Sequence, residues 1–265
     1  MPAGSQQPEN PGAPVPGRSR WGLMAEMLGR PFPLSRSIAA LFAVFVALVP
    51  FYIVIGAYMR DRALHMPALA LDRALPVRPA WSLVYGSLYF AMFLPLVVVR
   101  REEQIRRTLQ AYLALWFVAY AVFLAYPTVL PRPSRAEIGG GFCAWALRIV
   151  YSWDGPYNCF PSLHVAQSYL AAMTCYRVSR GIGLAAGAWA TLVAVSTLYT
   201  KQHYVADVIA GALMAWAAYG VFLRGCPRAA VPEIDDRIVP VVVLGFAGMH
   251  ALAVAGFWVA YRLGA

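Results

Sequence analysis

The chain has 265 residues, 60% of them hydrophobic and only 13% charged, with a formal net charge of +10 at neutral pH. With a mean hydropathy of +0.58, it is too apolar for a soluble domain of this length, which sets the class as a polytopic membrane protein. The surplus arginine falls in short segments between apolar runs and makes no basic stripe with interleaved exposed aromatics, which excludes a nucleic-acid binder and points to anionic lipid headgroups.

Residues 1–20 are rich in Pro, Gly, Ser and Gln without apolar periodicity and read as a disordered tail. From Trp21 to Arg36 the chain mixes Leu, Met and Phe with Arg, the pattern of a short interfacial stub. The first apolar run begins too late and runs too long for a cleavable signal peptide. A bilayer-spanning helix needs about 20 mostly apolar residues. Segments of that kind are predicted at Ser37–Tyr58, Ala80–Val99, Thr108–Tyr126, Pro161–Val178, Gly181–Thr200, Tyr204–Leu223 and Ile238–Arg262. The expected fold is therefore all-α, a six-helix membrane bundle with a seventh C-terminal span. Its expected organisation is a tail and stub over 1–36, a six-helix unit over 37–223, and a linker with the additional span over 224–265.

Orientation follows from the basic residues, since cytoplasmic loops carry the excess of Lys and Arg. Thirteen fall on the side of the N-terminus, among them Arg100, Arg101, Arg106 and Arg107, against nine on the other. This places the N-terminus in the cytoplasm. The loop Pro127–Phe160 and the turn Lys201–Gln202 then both emerge on the opposite face.

Two polar islands open on that face. In the second, His203 and Asp207 are four residues apart at the start of a span and share one helix face. Asp207 can hold one imidazole nitrogen as a donor and leave the other basic, half of a nucleophile or general-base arrangement. The two can also simply satisfy each other, but ionisable groups at membrane depth are costly and mark function by default. In the first island, Pro161 suits the first turn of a helix, and the amides of Ser162, Leu163 and His164 would lack carbonyl partners. Such a helix start favours an anion. Ser162 adds a hydroxyl, and His164 a group able to give or take a proton.

Arg132, directly after the third span, is either an interfacial anchor or a planar fork for phosphate oxygens. Lys201, the only lysine in the chain, is either a snorkelling anchor or a further phosphate-binding charge. Two other arrangements of these residues are open. His164, His203 and Asp207 could converge on zinc, or the protein could be a lipid transporter without covalent chemistry, although the polar residues gather at one face and not at the midplane. Cys143 and Cys159 flank the loop into the first island, where a disulfide could brace it. Cys175 and Cys226 are expected reduced. Gly211 is expected to permit close helix approach, and His250 to be hydrogen-bonded packing. Asp154, Tyr157 and Asn158 could touch a headgroup, and loop residues of these types mark turns just as often.

Taken together, Pro161-Ser162-Leu163-His164 and Ser196, followed by His203 and Asp207, resemble the phosphatidic acid phosphatase type 2 superfamily. Similarity is closest to its inositol phosphorylceramide synthase-like branch, on Leu71-Asp72-Arg73-Ala74-Leu75-Pro76, Tyr126-Pro127-Thr128, Phe160–Val165 and Ser196–Tyr204, and covers roughly residues 37–223. The resemblance implies a membrane lipid phosphatase or phosphotransferase needing no metal or cofactor. Its substrate would be a membrane phospholipid or lipid phosphate, and its acceptor water or a lipid alcohol. In the implied mechanism His203, oriented by Asp207, attacks phosphorus to form a phosphohistidine. His164 protonates the departing alcohol and then activates the acceptor. Arg132, Ser162 and Lys201 stabilise the phosphoryl oxygens. Two departures stand out: Ala125 and Thr197 occupy positions where the superfamily carries Lys and Arg. A smaller positive cradle suits a phosphodiester better than a phosphomonoester dianion, which tilts the expectation toward headgroup transfer over simple monoester hydrolysis. The implied setting is a bacterial inner membrane, with the active site facing the periplasm.

Overall fold

The computed structural model describes residues 19–227 and 234–264. Residues 1–18 of the tail expected over 1–20, and part of the 224–265 linker, lie outside these described residues. Every named element is helical. In chain order they are α1 (Arg20–Gly29), α2 (Arg36–Met59), α3 (Ala70–Ala74), α4 (Trp81–Gly86), α5 (Leu88–Ala91), α6 (Leu94–Val98) and α7 (Glu102–Ala125). Then follow α8 (Arg135–Ile138), α9 (Phe142–Trp153), α10 (Leu163–Tyr176), α11 (Arg180–Tyr199), α12 (Val205–Ala218) and α13 (Val239–Arg262). One π turn, Tyr219–Leu223, prolongs α12.

Among the described residues, five helices are long and apolar enough to cross a membrane: α2, α7, α11, α12 with its π turn, and α13 with the short turn before it. This is a helical membrane bundle of the kind the composition demands. Many large apolar side chains face outward, Ile53, Leu213, Trp216, Leu244 and Leu252 among them. On a soluble protein such a surface would be an aggregation hazard, whereas against lipid tails it costs nothing. The serine caps follow the sequence signals: Ser35, Ser162 and Ser179 each accept the amide three residues on, at the starts of α2, α10 and α11.

Two expected spans differ from the prediction. The Ala80–Val99 segment is broken into α4, α5 and α6. The hydroxyl of Ser87 bonds back onto the Val84 carbonyl at the first break, and Pro95, without an N–H, opens α6. The Pro161–Val178 segment yields a 14-residue α10. At 1.5 Å per residue it is about 21 Å long, short of the roughly 30 Å hydrocarbon core. It is not among the helices long enough to cross a membrane by length and composition. Instead it forms the centre of the bundle, packed on α11, α12, α7 and α6, with Val165, Ala166 and Leu170 fully buried.

α2, α7 and α11 end at the same end of the bundle at which α10 and α12 begin. The opposite end is tied by arginines that donate to backbone carbonyls: Arg101 to Pro227 at 2.6 Å, Arg107 to Phe222 at 3.3 Å, and Arg177 to Cys226. The expected loop Pro127–Phe160 contains the amphipathic helix α9, which packs against α4 and α13.

Candidate functional site

Both polar islands meet at the first of these ends. Gly211 makes the meeting possible, as a Cβ there would lie 2.4 Å from the Ser162 carbonyl oxygen. The glycine lets α12 approach the backbone at the start of α10 as closely as the sequence suggested. The Ser162 amide donates to the Asp207 carbonyl at 3.1 Å, joining the two islands through their backbones.

His203 is buried and held on one side. Its Nδ1 lies 2.9 Å from the Cys159 carbonyl, which can only accept, so Nδ1 carries a hydrogen. Asp207 Oδ2 is 3.4 Å from the same nitrogen and accepts the Tyr204 amide at 2.8 Å. Asp207 Oδ1 is fully buried with no partner among the described residues. The carboxylate therefore supplies charge beside the ring while a carbonyl fixes its tautomer, a division of labour the i, i+4 spacing did not reveal. That carbonyl is itself fixed, because Thr128 Oγ1 accepts the amides of Cys159 and Phe160 at 3.0 and 3.1 Å.

With Nδ1 protonated, Nε2 of neutral His203 presents its lone pair, and 3.1 Å away stands Nδ1 of His164. Tyr85 Oη lies 3.3 Å from the other nitrogen of His164 and 3.5 Å from Nδ1 itself, and Asp154 Oδ2 lies 3.8 Å from that other nitrogen. Asp154, at the end of α9, is buried and accepts two tyrosine hydroxyls, Tyr52 on Oδ1 and Tyr85 on Oδ2, both at 2.9 Å. Sequence reasoning missed this carboxylate. Its partners lie 102 and 69 residues away, and Asp before Gly-Pro has the signature of a turn.

Ser162 caps α10, its Oγ accepting the Val165 amide at 3.3 Å, so its hydrogen is still available to donate. The amides of Leu163 and His164 find no acceptor among the described residues. Arg132 lies beside the histidines but spends its guanidinium on three backbone carbonyls, Lys201 at 2.6 Å, Asp154 at 2.9 Å and Gly155 at 2.6 Å, over the Tyr151 ring. Lys201, in a left-handed conformation with φ 51°, turns its ammonium to the carbonyls of Asp72 at 2.9 Å and Leu75 at 2.6 Å. Burial pulls that ammonium below the ordinary lysine range. Asp72 in turn accepts the Val205 amide at the first turn of α12 and the Leu69 amide, each at 2.8 Å. The Leu71–Pro76 segment thus braces the helix that carries Asp207.

Thr197 shapes the turn into His203, its carbonyl accepting the amides of Gln202 and His203 at 2.9 and 3.2 Å. Cys143 and Cys159 are free thiols, with no bridge between them, and burial pushes the Cys159 thiol up. Far from the site, His250 sits edge-on between Phe90 and Trp189, its ring centroid 6.3 Å from each. Its Nδ1 has no hydrogen-bond partner among the described residues. It packs through these ring contacts and through a hydrogen bond to the Leu83 backbone, the packing role expected of it.

Fold and site together define a helical membrane protein with two imidazoles in contact, a carboxylate beside each, at one end of the bundle. The chain belongs to the PAP2 superfamily, whose family profile matches residues 61–221. It is also similar to a PA-phosphatase related-family protein of Dictyostelium discoideum, 24% identical over 119 residues. That match covers 41% of this chain and 22% of the relative. No solved structure matches the chain.

Proposed function

We propose that the protein transfers a phosphoryl-bearing group from a membrane lipid through a phosphohistidine on His203. The observation that carries this reading is the contact between Nε2 of His203 and Nδ1 of His164, with the far nitrogen of His203 locked as a donor. In the first displacement, the Nε2 lone pair forms the N–P bond as the P–O bond to the leaving alcohol breaks, and His164 Nδ1 protonates the departing oxygen. In the second, the same nitrogen takes the proton of an acceptor hydroxyl, whose oxygen displaces His203 from phosphorus. Asp207 offsets the positive charge that the His203 ring acquires. Ser162 and the open amides of α10 are the donors placed for phosphoryl oxygens. Arg132 and Lys201 contribute charge from the surrounding shell.

The two shell cations are also why headgroup transfer is favoured over monoester hydrolysis. Arg132 gives three of its five guanidinium hydrogens and Lys201 two of its three ammonium hydrogens to backbone carbonyls, and Ala125 and Thr197 add no charge. Such a cradle is matched to the single charge of a phosphodiester, in keeping with an inositol phosphorylceramide synthase-like reaction. The catalytic unit is residues 37–223, oriented with the N-terminus in the cytoplasm of a bacterial inner membrane and the site open to the periplasm. Purified protein incubated with labelled phosphatidylinositol or phosphatidate, with and without ceramide or diacylglycerol, tests the reading. A new phosphodiester lipid supports transfer. Free phosphate alone rules for the phosphatase, and activity lost to EDTA and restored by zinc would sink the phosphohistidine route.

A further inference from the structure

A hydrogen count around His164 assigns a role to Asp154. Tyr52 and Tyr85 each have one hydroxyl hydrogen, and both lie 2.9 Å from a carboxylate oxygen of Asp154 that can only accept. With its hydrogen spent there, Tyr85 Oη can only accept from His164 Nε2, 3.3 Å away. On the other side, His203 Nε2 offers a lone pair to His164 Nδ1 at 3.1 Å. Both nitrogens of His164 therefore face acceptors. With His203 neutral, all four contacts are satisfied together only when His164 carries two hydrogens, as an imidazolium; with the proton on His203 Nε2 instead, His164 Nδ1 accepts it and Nε2 still donates to Tyr85.

Burial penalises that cation, the nearby Arg132 charge opposes it, and the other groups facing it are few: His203 from the turn into α12, Tyr85 from α4, and Asp154 from the end of α9. Arg132 donates to the Asp154 carbonyl and not to its carboxylate. Asp154 is thus the one anion among the described residues set against His164, as Asp207 is against His203.

We infer that Asp154, acting through the Tyr85 hydroxyl, is the positioning residue that holds His164 as the proton donor to the leaving group. This rests on the assignment of His164 as acid and base above. During the first displacement, the Nδ1 proton passes to the departing alcohol oxygen while the Nε2 hydrogen stays on Tyr85 and Asp154. His164 is left neutral, with its Nδ1 lone pair aimed at the acceptor. When the acceptor gives up its proton, the imidazolium is restored against the same carboxylate.

The test compares leaving groups in single turnover. An alkoxide needs the proton, whereas p-nitrophenolate departs without it. The probes are dioctanoyl phosphatidylinositol or dioctanoyl phosphatidate, whichever the wild type turns over, and p-nitrophenyl decyl phosphate. Asp154→Asn is expected to slow the alkyl substrate by about 10- to 100-fold, within the range of acid catalysis, and to release p-nitrophenol at close to the wild-type rate. His164→Ala is the reference and should show the same selectivity more strongly. An equal loss on both substrates in Asp154→Asn, with His164→Ala rescued by the good leaving group, overturns the role of Asp154 and leaves that of His164 intact. Failure of rescue in His164→Ala overturns the underlying reading. If Asp154→Asn does not fold in detergent, Tyr85→Phe, which removes the intervening hydroxyl, carries the same comparison with the same two outcomes.

Discussion

His203 and His164 touch, yet they are held in opposite ways. His203 is pinned on a backbone carbonyl that Thr128 fixes in turn, with its carboxylate one helical turn along the same element. His164 is reached by side chains only, from three other elements, and its carboxylate stands behind a tyrosine hydroxyl. The rigid setting suits a nucleophile, whose lone pair must keep one direction. The side-chain setting suits a group that gives and regains a proton, because its partners can share the hydrogen.

The contrast can be broken most severely at the pinned ring. His203→Ala is expected to lower turnover by about 10⁴-fold or more, and no acid-labile phosphate should be trapped on the protein after quenching with labelled substrate. His164→Ala should differ in kind. With p-nitrophenyl decyl phosphate it should give a burst of p-nitrophenol and then stall, with acid-labile phosphate accumulating on His203. Gly211→Ala attacks the contact between the islands, where a Cβ would strike backbone at 2.4 Å. A loss of about 1–3 kcal/mol by overpacking, read from thermal unfolding in detergent, should accompany a fall in turnover on both leaving groups alike. Asp72→Ala removes the acceptor for the Val205 and Leu69 amides and should cost about 0.5–2 kcal/mol, while Asp72→Asn recovers most of it. The smallest effect is expected at Cys143→Ser: a stability change within about 0.5 kcal/mol, and no shift in non-reducing gel mobility relative to wild type.

Much of the pinned half was legible in the sequence, because its determinants are local. His203 and Asp207 lie on one helical turn, the Pro-Ser pair marks a helix start, although Ser162 caps that helix and gives its amide to the Asp207 carbonyl where a free amide was expected, and Gly211 is a small residue in an apolar helix. The setting of His164 was not legible. It is assembled from Tyr52, Tyr85 and Asp154, each on a different element, and two of those elements were themselves misread. Hydropathy averages over a window, so it returned one span where Ser87 and Pro95 break the helix carrying Tyr85 into three. It also returned a loop where the apolar face of Phe142–Trp153 forms α9. The periodicity of that stretch was the available signal for a helix that would deliver Asp154. Arg132 and Lys201 were found at the right end of the bundle, but no pattern of residue types foretells that their donors would go to backbone carbonyls.

The separation of 3.1 Å between the two imidazoles has a consequence for what can enter. An oxygen hydrogen-bonded to both rings would hold them roughly 5 Å apart on ordinary bond lengths, and a phosphorus with its substituents needs more. The reactive nitrogens therefore occlude each other until a ligand parts them. On the function proposed above, the energy for doing so comes from the portion of the lipid that binds away from the two rings. A small soluble phosphate carries no such handle, so the resting pair is a gate that only an anchored molecule has the leverage to open.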